Sequence, residues 1–143
     1  MILKKIHFAI DKTIKADASQ KILLERYRNY SPNQSNVIVV IGGDGFMLET
    51  LKKYRKYKRP FYGMNRGTFG FLMNKFKIQN IKKSILKAKS VSISALEMHA
   101  ITKDNIKKSA IAINEISLLR QSKQAASLRI INGKKILIKK LIG

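Results

Sequence analysis

The run Val37-Ile38-Val39-Val40-Ile41 leads without a break into Gly42-Gly43-Asp44-Gly45. Consecutive β-branched residues with no polar alternation describe a strand covered on both faces, the kind found in a parallel sheet. Met47, Leu48, Leu51 and Tyr54 then recur at helical spacing, and Lys56, Lys58 and Arg59 suit the C-terminal end of that helix. The glycines between strand and helix permit φ > 0 and a close backbone approach. The helix start offers unpaired N–H groups and a positive dipole end to a phosphate. Asp44 is the informative residue. A carboxylate repels a bare phosphate, so in such a turn its task is to accept a proton from a hydroxyl or to hold a divalent cation beside the phosphates.

A strand–turn–helix unit needs neighbours, and the flanking sequence supplies them. Residues 5–10 form a short apolar segment of strand type. Asp17 followed by Gln20 resembles a capping box, and Leu23, Tyr27 and Tyr30 extend a helix over about residues 18–30. Residues 61–64 are a third strand and 67–70 a loop, and Ile78, Ile81, Ile85 and Ala88 mark a third helix. Alternating strands and helices imply a parallel sheet with right-handed crossovers, an α/β doubly wound, Rossmann-like unit over residues 1–90. The texture then changes. Residues 91–102 and 108–119 look extended around a Lys103-Asp104-Asn105 turn. Residues 128–131 and 135–140 flank Asn132-Gly133, a two-residue hairpin signal. Residues 91–143 therefore read as the start of an antiparallel β domain, incomplete because so small an open sheet needs a covering layer.

Composition bounds the function classes. The absence of cysteine excludes disulfides, thiolate metal sites and a cysteine nucleophile. The longest apolar run is far short of the roughly 18–20 residues that span a bilayer, and no signal-peptide pattern precedes it. A cytoplasmic protein with no membrane partner is expected. The net charge of +22 invites a nucleic-acid reading, but lysines run from Lys4 to Lys140 without an RNA-recognition motif, and lysine with isoleucine is what an AT-rich genome favours. No specific nucleic-acid partner is expected, and the field still attracts polyphosphate substrates. His7 and His99 are isolated and carry no expected catalytic or metal role.

Two common phosphate motifs fail. No Gly-x4-Gly-Lys-Ser/Thr occurs, which excludes a P-loop. Gly43-Asp44-Gly45 imitates a dinucleotide fingerprint, but position 48 is leucine and residues 62–66 lack the expected acid. The turn Gly42-Gly43-Asp44-Gly45 instead resembles the signature shared by NAD kinases and the diacylglycerol and sphingosine kinases. Gly63-Met64-Asn65-Arg66-Gly67-Thr68-Phe69-Gly70-Phe71-Leu72 is similar to the NAD kinase Gly-x-Asn-x-Gly-x-x-Gly-Phe-Leu segment, and Ile113-Asn114-Glu115-Ile116 to its Asn-Glu motif on a strand. Phe46 stands where many bacterial members carry a small hydroxyl residue.

The resemblance implies phosphorylation of the 2′-hydroxyl of the adenosine ribose of NAD, with ATP or polyphosphate as donor and a divalent cation, magnesium first. It implies Asp44 as the proton acceptor and Gly43 and Gly45 as the phosphate-facing turn. Leu48 and Phe71 match apolar positions near the adenosine, and Asn114 and Glu115 a pair that hydrogen-bonds NAD. No residue is assigned as a protein metal ligand. The family's later aspartate-glycine and Thr-Gly-Ser-Thr-Ala-Tyr-type segments are absent, so a chain inactive alone, and homo-oligomeric when complete, is expected. A lipid kinase of the same superfamily and a non-catalytic basic nucleotide-binding module are the alternatives. The Gly-Met-Asn-Arg-Gly and Asn-Glu segments argue against the first.

Overall fold

The computed structural model describes residues 3–68 and 70–143; Phe69, which falls within the Gly-x-x-Gly segment, lies outside them, as do Met1 and Ile2. Strands β1 (Ile6–Ile10), β2 (Val37–Gly42), β3 (Phe61–Asn65) and β4 (Asn74–Lys75) form one parallel sheet in that order. Every residue of β2 is buried, as its unbroken apolar run requires. Alternate side chains go to opposite faces. Val37, Val39 and Ile41 join Ile6, Phe8 and Met64 against Leu23 of helix α1 (Ile14–Arg26) and Ile81 of helix α3 (Ile81–Lys87). Ile38 and Val40 join Ala9 against Met47 of helix α2 (Asp44–Tyr54). Helices therefore cover both faces, and the doubly wound expectation holds.

The reversal that makes the sheet doubly wound is visible at its edge. After α1 the chain runs beside β1, where Asn29 bridges Ile6 and the Tyr30 N–H donates to the Ile6 carbonyl at 2.9 Å. The Asn29 side chain acts as a strand surrogate, its Oδ1 accepting the Phe8 N–H at 2.9 Å. The chain then crosses to pair β2 on the other side of β1 and continues outward to β3. The switch point lies between β1 and β2, and in such sheets ligands bind outside the carboxyl ends of the strands there.

Three sequence expectations shift. Helix α1 starts at Ile14 after Thr13 and ends at Arg26, four residues earlier at each end than expected. Asp17 thus lies in the first turn, where the helix dipole favours it, and does not cap. Tyr27 to Tyr30 are drawn out of the helix by pairing with β1. In the second half, β5 (Leu96–Ile101) pairs antiparallel with β6 (Lys107–Ala112) around Asn105, which has φ 58°. Residues 113–119, expected to be extended, lie beyond β6 and form no strand. The hairpin of β7 (Ser127–Asn132) and β8 (Lys135–Ile142) turns on Gly133 and Lys134, with Asn132 paired to Lys135. Gly133 adopts φ 57°, which only glycine takes cheaply. Most apolar residues of β7 and β8 are exposed, whereas Ile111 in β6 and Ile113 just beyond it are half-buried.

Candidate phosphate-facing site

The glycine turn closes the carboxyl end of β2 at the switch point. Gly43 sits at the N-cap of α2 with φ −100° and ψ −177°, and no glycine of the turn has a positive φ. The turn glycines do not use the φ > 0 that glycine permits, and of Gly42, Gly43 and Gly45 only Gly42 is crowded where a Cβ would stand. A Cβ on Gly42 would lie 2.9 Å from the Phe46 ring and 3.0 Å from Asp11 Cβ. A Cβ on Gly67 would lie 3.1 Å from Gly43 Cα, so two backbones touch where both residues are glycine. Gly45 faces open space, with nothing within 4 Å of where its Cβ would be. The first-turn amides of α2 have no partner within the helix by geometry and are available to an anion.

Asp44 is gripped from a second segment. Its Oδ2 accepts the Phe71 N–H at 2.8 Å and its Oδ1 accepts the Leu72 N–H at 3.2 Å. Gly70 makes the grip possible, since a Cβ there would stand 2.9 Å from Asp44 Oδ1. The Arg66 N–H donates to the Gly42 carbonyl at 2.8 Å, and Asn65 Oδ1 accepts the Gly67 N–H at 2.8 Å. Arg66 also reaches α1: its Nε donates to Ser19 Oγ at 2.7 Å while its guanidinium lies 3.7 Å over the Phe76 ring. Two motifs separated by 17 residues thus fold into one site. Asn65, Arg66, Gly67 and Gly70 build it, and none was singled out as a site residue from sequence. The Gly-x-Asn-x-Gly-x-x-Gly spacing carried that signal.

The apolar candidates separate. Phe71 is 99% exposed, so its ring is not core, although its amide holds Asp44. Leu48 is half-buried and belongs to neither core cluster. Asn114 and Glu115 are both exposed and follow the end of β6, so the expectation that they sit on a strand is corrected. Among the described residues no hydrogen bond or ion pair joins their side chains to Asp44 or to the glycine turn.

Asp11 ends β1 beside the turn, its N–H donating to the Ile41 carbonyl at 2.9 Å, a second carboxylate at this edge that sequence reading passed over. Among the described residues no group of three or more His, Cys, Asp or Glu side chains converges as a metal cage. His7 donates from Nδ1 to the Tyr30 carbonyl at 2.7 Å and packs against Tyr54, and His99 lies 3.6 Å from Glu97; neither touches the site. Burial raises the Tyr62 phenol above its ordinary range, with Tyr62 packed against the core on the α1 face. No helix among the described residues is long and apolar enough to cross a membrane.

Comparison with known proteins meets this geometry. The pattern of the ATP-NAD kinase N-terminal domain matches residues 4–90, which carry both clasped motifs. An NAD kinase of Brucella suis biovar 1 is 43% identical over 137 residues, 96% of this chain and 53% of the relative. One of Hyphomonas neptunium is 40% identical over 138 residues, covering 96% and 54%. One of Cereibacter sphaeroides is 36% identical over 142 residues, covering 99% and 56%. The chain spans about half the length of the curated relatives it matches.

Proposed function

The chain belongs to the NAD kinase family, and from that premise we propose that it forms the phosphate-facing half of an enzyme that converts NAD and ATP to NADP and ADP. The observation that carries the proposal is Asp44, held by two backbone amides at the mouth of a glycine turn. Each carboxylate oxygen has a second lone pair, so one can accept the proton of the ribose 2′-hydroxyl while both amide bonds persist. The freed oxygen attacks the γ-phosphorus in line, the γ-phosphoryl bond to the bridging oxygen breaks, and ADP leaves. Phosphoryl transfer is otherwise mostly positioning and charge neutralisation. Gly43 and Gly45 leave room for the phosphates against the N-terminal amides of α2. Leu48 and the exposed Phe71 flank the adenosine, and Asn114 with Glu115 hydrogen-bond NAD from the antiparallel half.

A divalent cation, magnesium first, fits this donor set only as a guest of the phosphates. Asp44, with Asp11 as the second carboxylate beside the turn, would join it, since Mg²⁺ is ordinarily held by one or two carboxylates plus substrate oxygens. Bound there, it would neutralise developing phosphoryl charge. Polyphosphate presents the same phosphoanhydride and is an alternative donor. Residues 1–90 are the nucleotide-binding domain and 91–143 the start of a β domain, in a homo-oligomeric cytoplasmic enzyme.

The test joins this chain to the remaining half of the Brucella suis relative and supplies γ-labelled ATP, magnesium and either NAD or diacylglycerol. The proposal requires label in NADP. Label in the lipid, or in neither acceptor, contradicts it.

A further inference from the structure

Far from the glycine turn, the fold gathers a second feature. Six of the eight residues 52–59 are Lys or Arg, against 30 of 143 in the whole chain, so this density exceeds what composition alone supplies. The segment ends α2 and forms the short 3-10 turn Arg55–Tyr57 before β3. It therefore lies at the amino end of the parallel sheet, about 20 Å from the glycine turn along the six residues of β2.

Cations from two other segments converge on that edge. The Asn36 N–H donates to the Lys5 carbonyl at 2.8 Å and the Ile38 N–H to the Pro60 carbonyl at 3.0 Å, so Lys5 and Arg59-Pro60 lead into β1 and β3, the two strands that flank the start of β2. Arg59 Nη2 donates to the Asn33 carbonyl at 3.2 Å. Tyr30, beside β1, carries Lys5 at 5.7 Å and Arg28 at 5.1 Å over its ring. Lys53 lies 5.0 Å over Tyr54 and Lys56 lies 5.2 Å over Tyr57. All eight of Lys5, Arg28 and the six cations of 52–59 are exposed, and among the described residues none is in an ion pair. The acids that flank these segments, Asp11, Glu25 and Glu49, form no ion pair with any of the eight among the described residues.

We infer that this basic pole docks the phosphate backbone of a nucleic acid, independently of base sequence. The chemistry selects that partner. Three tyrosine rings hold cation heads over their faces, which orders the charges outward and leaves those faces unavailable for stacking bases. Recognition is then of closely spaced phosphates, with affinity set by counterion release. A membrane surface fits less well, because none of the exposed large hydrophobic residues belongs to these segments. The pole lies at the opposite end of the strands from Asp44, so it serves the whole molecule's placement and takes no part in phosphoryl transfer.

The test measures anisotropy of a labelled mixed-sequence single-stranded oligonucleotide against salt, using the 143-residue chain. K52Q/K53Q/R55Q/K56Q removes four pole contacts, and the slope of log K against log salt should fall by about 3, at about 0.7 per phosphate contact. K5Q/R28Q, from separate segments, should lower it by about 1.4. K82Q/K83Q/K87Q/K89Q carries the same charge loss as the first variant and should leave the slope within about one unit. Circular dichroism checks the fold of all three. Equal losses in the pole and control variants mean diffuse charge and overturn the inference. So does pole-dependent capture by vesicles of phosphatidylcholine and phosphatidylserine without pole-dependent oligonucleotide binding.

Discussion

Asp44 owes its position to residues that carry no charge. The amides of Phe71 and Leu72 hold its two oxygens, and Gly70 is glycine because a Cβ would crowd Oδ1 at 2.9 Å. Gly70→Ala should therefore displace the carboxylate and lower kcat for NADP formation by about tenfold or more, the effect of roughly 1.4 kcal/mol on the transition state. The far-ultraviolet circular dichroism should not change; loss of the spectrum would instead assign Gly70 to folding. Phe71 makes the complementary case. With its ring 99% exposed, Phe71→Ala should shift the unfolding free energy by no more than about 0.5 kcal/mol, the usual range for surface changes, while raising KM for NAD. A large stability loss with KM unchanged would place the ring in packing. Asp44 was legible from sequence because an acid in a phosphate-facing turn is chemically odd. Its amide partners were not, since a backbone N–H leaves no trace in residue type.

At the scale of elements, β2 was the most legible part of the chain, because an unbroken β-branched run has one stable destination. Ile41 is fully buried between the α1 face of the sheet and the turn. Ile41→Ala should cost about 2–5 kcal/mol in urea unfolding, as large-to-small changes at buried sites do. A cost below about 1 kcal/mol would mean that the strand is less enclosed than described. Helix α1 was misplaced for an identifiable reason. The Asp17 and Gln20 signal was real in type, but sequence could not show that Asn29 and Tyr30 pair with β1 and so draw Tyr27 to Tyr30 out of the helix. The turn glycines taught the same lesson, since steric approach between Gly43 and Gly67 is a tertiary fact. Asn114 and Glu115 were singled out through resemblance, and the local fold leaves both exposed beyond β6.

For the whole molecule, the parallel sheet has apolar cores on both faces, whereas β7 and β8 expose Ile130, Ile131, Ile136, Leu137, Ile138, Leu141 and Ile142. Contiguous apolar surface of this kind favours association. Sedimentation of the 143-residue chain should show concentration-dependent self-association, and the chain joined to the remaining half of the Brucella suis relative should show less. The same pair should differ in chemistry. On the proposed function, Asp44 and the glycine turn supply only part of the NAD site, so the shorter chain should make far less NADP than the joined one, and equal rates would refute the incomplete-site account. The most direct measurement is the turnover of the joined protein with Asp44 against that with Asp44→Asn, at saturating NAD, ATP and magnesium. Loss of a general base predicts a fall of about 10²–10⁴-fold with the fold intact; near-normal turnover in the asparagine variant would remove Asp44 from the mechanism.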